Sequence, residues 1–114
     1  MTRFIIFRHG ETDWNKEKKL QGWNDIPVNE AGKKQAHKLA QRLQKENIDY
    51  LYSSPLSRAY ETATIMNQYH NKQIIILDDL KELTYGVFEG KTKDEIKQLS
   101  FQLMEEKCRY YYTH

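Results

Sequence analysis

Arg8, His9 and Gly10 stand directly after the apolar run Phe4-Ile5-Ile6-Phe7. A neutral imidazole can act as a nucleophile. A phosphoryl group is an anion, and arginine gathers its oxygens in a bidentate fork. A cation beside His9 also disfavours the imidazolium form and keeps a lone pair available near neutral pH. The pair therefore suits attack on phosphorus. As an isolated dipeptide it is a weak signal, and a surface arginine beside a packed loop histidine is the plain alternative. Position adds to the argument. The run 4–7 predicts a buried parallel strand, and in open α/β sheets ligands sit just beyond the carboxyl ends of strands. Gly10 allows a sharp turn and a close backbone approach to a ligand.

The elements that must hold this site follow in order. Residues 13–22 are polar and basic, with Lys16, Lys18 and Lys19 close together and Trp14 and Trp23 as anchors; they read either as a solvated loop or as a rim attracting an anion. Asn29 is a good N-cap, and Glu30 suits the first turn of a helix running to about residue 46. Ala36, Leu39, Ala40 and Leu43 form its apolar stripe, and His37 falls on its surface flank. A second strand is predicted over 48–53. Ser54-Pro55 then opens a helix, with proline at its preferred first position. Arg58 lies in that first turn, where a cation is unfavourable unless an anion binds between it and the free N–H groups. Ala59, Ala63 and Met66 face the core, and His70 stands near the helix end. Residues 73–77, with Ile74-Ile75-Ile76, predict a third buried strand. Two helices separating three strands imply crossovers and a parallel sheet. Thr92 and Glu95 match a capping box, opening a last helix with Ile96, Leu99 and Leu103 on one face.

A chain of 114 residues is a single domain, 1–114. At this size roughly 65% of the unfolded surface can be buried. Eighteen Lys+Arg against 16 Asp+Glu leave a net charge of +2, which points to neither nucleic acid nor membrane as partner. Cys108 is the sole cysteine, so no intrachain disulfide forms; this fits a reducing, cytoplasmic compartment. The start is too short for a signal peptide or a membrane span. The four histidines lack metal-ligand spacing, so neither a metal nor another cofactor is indicated.

Arg8-His9-Gly10-Glu11-Thr12 resembles the signature of the histidine phosphatase superfamily, the phosphoglycerate-mutase-like proteins. The match continues through Asn15, Gln21-Gly22, Asp25, Pro27, Gly32 and Gln35-Ala36. It resumes at Ser53-Ser54-Pro55-Leu56-Ser57-Arg58-Ala59 and Thr62-Ala63, and ends in Glu82-Leu83, Gly86, Glu89-Gly90 and Glu95-Ile96. The resemblance implies an α/β, three-layer fold with a mainly parallel sheet flanked by helices. It implies phosphomonoester hydrolysis through a phosphohistidine on His9. Arg8 and Arg58 would clamp the phosphate, and Glu82 would donate the proton to the departing alkoxide. Thr12, Asn15, Gln21 and Gly22 would line or support the phosphate pocket. The ligand would be a small phosphorylated metabolite or phosphate.

One departure stands out. The family carries a second histidine, usually followed by glycine, after a late apolar strand beside the first strand. No such strand ending in His-Gly follows Glu82, and His114 is the only histidine there. The chain thus resembles an N-terminal portion of such a protein, incomplete at its C-terminus, with impaired catalysis and strands left to pair with another chain, as in a homo-oligomer. Phosphoglycerate-mutase-type transfer and a non-catalytic phosphate-binding remnant stay open as alternatives. Glu82-Leu83-Thr84-Tyr85-Gly86 lacks the Glu-Lys/Arg-His-Tyr-Gly pattern of glycolytic mutases, which favours the phosphatase.

Overall fold

A computed structural model describes residues 2–82 and 84–103. Cys108, the tyrosines 110–112 and His114 lie outside the described residues. A short helix α1 spans Asp13–Lys16, and α2 spans Glu30–Arg42. Strand β1 (Leu51–Ser53) leads into α3 (Ser57–Met66), which a 3-10 turn (Asn67–Tyr69) extends before strand β2 (Ile74–Ile76). Helix α4 spans Lys93–Leu103.

The β1–α3–β2 unit is parallel, as the alternation of strands and helices predicts: Leu51 pairs with Ile74, Tyr52 with Ile75 and Ser53 with Ile76. Leu51 and Ser53 turn inward while Tyr52 is exposed, the period-two pattern of a strand with one covered face. In β2 the burial is shallower than its three isoleucines suggest. Ile74 and Ile75 are half-buried and Ile76 is exposed.

The run 4–7 departs furthest from expectation. It forms no strand, and Phe4 and Ile6 are 81% and 92% exposed. A strand apolar on both sides is buried only where layers cover both its faces. Among the described residues α2 and α3 pack mainly on each other, and no ladder forms beside the run.

Helix α2 begins where its cap predicts. The Asn29 side chain accepts from the Gly32 N–H at 2.8 Å. Its covered face is Gly32, Ala36 and Ala40, a line of small residues at i, i+4 and i+8 that permits close approach. Leu39 and Leu43 sit half-buried at the margin, and His37 is exposed. The helix stops at Arg42, short of 46, with Leu43 as its C-cap. Helix α3 begins two residues after Pro55, with Leu56 extended at its N-cap. The Asp25 carboxylate explains this start. It accepts from the Ser57 N–H at 2.5 Å and from the Ser57 hydroxyl at 2.8 Å, satisfying a first-turn amide that Leu56 cannot.

Candidate active site

The segment after Phe7 is held from two sides. The Gly10 N–H donates to Thr62 Oγ1 on α3 at 2.9 Å, and the Glu11 N–H donates to Gln35 Oε1 on α2 at 2.9 Å. Between these anchors the chain lies directly on the first turn of α2. A Cβ on Gly10 would stand 2.5 Å from the Gly32 carbonyl oxygen, and one on Gly32 would collide with the Glu11 carbonyl. Gly10 is thus required here by backbone-on-backbone contact, in addition to lining the cleft described below.

His9 is half-buried. Its Nδ1 lies 2.6 Å from the Gly10 carbonyl oxygen. A carbonyl only accepts, so Nδ1 carries the proton and Nε2 keeps its lone pair. Burial holds the imidazole below its ordinary pKa of 6.5, and the charges of Arg58 and Arg8 act in the same direction. The Gly10 carbonyl and the Glu82 carboxylate oppose them without reversing the shift. The ring thus stands within the fields of both arginines and the glutamate.

Arg58 lies in the first turn of α3 and is 1% exposed. A buried guanidinium must be paired and hydrogen-bonded. Its Nη2 donates to the Gly22 carbonyl and to Glu82 Oε2, each at 2.6 Å, and its Nη1 donates to the Asn24 carbonyl at 2.8 Å. The Glu82 side chain stays about half-exposed. The loop 22–24 that grips Arg58 is itself gripped by Glu89. One Glu89 oxygen accepts from Asn24 Nδ2 at 2.5 Å, and the other from Thr84 Oγ1 at 2.7 Å and the Tyr85 N–H at 3.0 Å. Partial burial raises the Glu89 pKa. Hydrogen bonds from Thr84, Tyr85, Trp23 and Asn24 outweigh it and hold the carboxyl below its ordinary 4.5.

A cleft of about 490 Å³ opens over His9, with Arg8, Glu11, Asn15 and Gln35 among its lining residues. Arg8 is exposed there. Thr12 is buried; it caps α1, accepting from the Asn15 N–H at 3.2 Å while its own N–H donates to Asn15 Oδ1 at 3.0 Å. Its hydroxyl donates to Gln21 Oε1 at 2.6 Å. Gln21 and Gly22 are buried and do not line the cleft. Gly22 has φ +54°, and a Cβ there would run into the Glu89 carboxylate. Asn15 also borders a second cleft of about 620 Å³, where Lys18, Lys19 and Lys93 stand among Glu17 and Asp94. The basic rim is therefore mixed in sign, and Lys19 pairs with Glu17 at 2.8 Å.

The positions of Asp25, Gln35, Thr62 and Glu89 were readable only as members of a family pattern. Their partners lie 32, 24, 52 and up to 65 residues away, so local spacing carries no sign of them. Among the described residues no group of three or more His, Cys, Asp or Glu could hold a metal ion, and no helix is long and apolar enough to cross a membrane.

The histidine phosphatase superfamily (branch 1) matches residues 4–111, and the chain belongs to that superfamily. The uncharacterised phosphatase PhoE of Bacillus subtilis is 43% identical over 95 residues, covering 83% of this chain and 49% of that protein. Phosphoglycerate mutase-like protein 4 of Arabidopsis thaliana is 42% identical over 97 residues, covering 83% and 42%. In structure, the chain is similar to the phosphoserine phosphatase of Entamoeba histolytica crystallised with 3-phosphoglyceric acid. The TM-score is 0.72 at 40% identity, over 78% of this chain and 44% of that one. This chain spans about half the length of these relatives.

Proposed function

We propose that this chain carries the phosphohistidine-forming part of a phosphomonoester hydrolase, acting on a small phosphorylated metabolite. The observation that carries the reading is the state of His9. Its Nδ1 is committed to the Gly10 carbonyl, so its Nε2 keeps the lone pair, and two arginines share its surroundings.

Nε2 attacks phosphorus, an N–P bond forms, and the ester P–O bond breaks with its electron pair leaving on the alkoxide. The Glu82 carboxylic acid supplies the proton that makes the alcohol. In the second step Glu82, now a carboxylate, takes a proton from water as the water attacks phosphorus and the N–P bond breaks. Arg8 and Arg58 balance the phosphoryl charge, with Asn15 at the cleft wall and the buried Thr12, Gln21 and Gly22 supporting the segments around it. Hydrolysis is favoured over mutase transfer by Leu83-Thr84 after Glu82, where a mutase would carry Lys/Arg-His. Because no His-Gly follows Glu82 in these 114 residues, the chain assayed alone is proposed to be slow: one missing donor of this kind costs about 10²–10³ in rate.

Single-turnover labelling tests the reading without needing fast turnover. On incubation with an activated aryl phosphate, the protein is expected to gain one acid-labile phosphoryl group at His9, read by mass spectrometry. His9→Ala is expected to gain none. An unlabelled wild-type protein, or equal labelling of the variant, overturns it.

A further inference from the structure

Trp23 is 52% exposed. An indole this open contributes little to a core, yet its ring N–H is fully engaged. It donates to the Glu82 carbonyl oxygen at 2.6 Å, across 59 residues of chain. The Lys81 ammonium stands 4.8 Å from the ring centroid on the same segment, within cation–π range. The contact thus ties the loop after Gln21 to the main chain of the proton donor.

The flanking residues act on the donor's partner. The Gly22 and Asn24 carbonyls hold the Arg58 guanidinium, and Arg58 holds the Glu82 carboxylate. Three consecutive residues therefore fix both members of the ion pair: the main chain of 22 and 24 sets the arginine, and the side chain of 23 sets the backbone of the glutamate. Glu89 steadies this loop, accepting from the Asn24 side-chain amide and from Thr84 and Tyr85 beyond Glu82. Glu82 itself lies in neither helix nor strand. Among the described residues, no ladder or helical hydrogen bond locates it, and the indole and the guanidinium hold its main chain and its carboxylate.

We infer that Trp23 is a positioning residue for Glu82, locating the carboxyl between the Arg58 guanidinium and the oxygen of the departing alcohol. This rests on the proposed role of Glu82 as proton donor. Without the indole N–H, residue 82 loses the hydrogen bond on its main-chain carbonyl and keeps the ion pair on its side chain, and even ~1 Å of misplacement can cost 10² in rate.

Trp23→Phe keeps an aromatic ring over Lys81 and removes the N–H. The readout is single-turnover labelling of His9 with two donors. An alkyl phosphate needs a proton on its leaving oxygen, whereas a dinitrophenyl phosphate releases a stable anion without one. General acid assistance is worth about 10²–10⁴. The variant is therefore expected to slow the alkyl donor at least about tenfold and the aryl donor less than about twofold, as Glu82→Gln does more severely. Equal slowing of both donors would mean a merely structural tryptophan and would overturn the inference. If wild type labels with neither donor, the proposed function fails, and the positioning is decided separately by carbon-13 NMR of the glutamate carboxyls. Trp23→Phe is expected to move the Glu82 resonance. An unmoved Glu82 resonance overturns the inference.

Discussion

A histidine with one nitrogen bound to a main-chain carbonyl has one nitrogen left for chemistry, and at His9 the fold decides which. The pH behaviour follows from the lowered pKa. Nε2 should stay unprotonated below 6.5, the ordinary midpoint, so the labelling rate of His9 is expected to halve at a pH below that value. A midpoint above it would contradict the buried, doubly arginine-flanked environment. The same shift has a consequence for stability. As pH falls, the unfolded chain binds the His9 proton before the folded chain does. The stabilisation is complete above 6.5 and is lost as pH falls through the folded value. Glu89 has the same sign in a lower window: its contribution is full above 4.5 and lost as pH falls through its depressed value. Urea unfolding across this range should show Glu89→Gln to be less stable than wild type near neutral pH, with the gap closing in acid. A gap that widens on acidification would refute the role given to Glu89. Arg8 and His9 were legible in sequence because residue type and adjacency already carry the chemistry. The tautomer was not, since it depends on where one carbonyl points.

At the scale of elements, the site depends on how closely α2 approaches residues 10–11. Gly32 illustrates competing effects. In a solvated helix, glycine to alanine gains about 1 kcal/mol from propensity. At Gly32 the new methyl meets the Glu11 main chain rather than a movable side chain, and overpacking of this kind costs about 1–3 kcal/mol. Gly32→Ala is therefore expected to destabilise the fold in chemical denaturation and to slow His9 labelling, because Glu11 follows Gly10 in the same anchored segment. A more stable variant would show that the helix can shift away freely. The cap at Asn29 and the parallel pairing of β1 with β2 were readable because capping and β–α–β alternation are local rules. The start of α3 falls two residues beyond its proline signal for the opposite reason. Pro55 is a correct local signal, but the amide of Ser57 is satisfied by Asp25 from 32 residues away, and this decides where the helix begins.

At the scale of the molecule, the clearest disagreement between sequence and structure lies in Phe4, Ile5 and Ile6. Their composition demands cover, and the described residues leave them exposed. An exposed apolar segment that, among the described residues, joins no ladder is a surface that can recruit another strand. The parallel pair β1–β2 offers little competition, being three residues long with Tyr52 and Ile76 also exposed. We therefore propose that the 114-residue chain self-associates through this segment. Sedimentation equilibrium is expected to give an apparent mass that rises with concentration above the 13.7 kDa of one chain. Ile6→Lys places a charge on the run's most exposed residue. It should lower the association without altering helix content by circular dichroism, since Ile6 is 92% exposed. His9 labelling should survive the substitution, because the anchors at Gly10 and Glu11 lie beyond it. A mass that stays at one chain across the concentration series would remove self-pairing as the way this segment is covered.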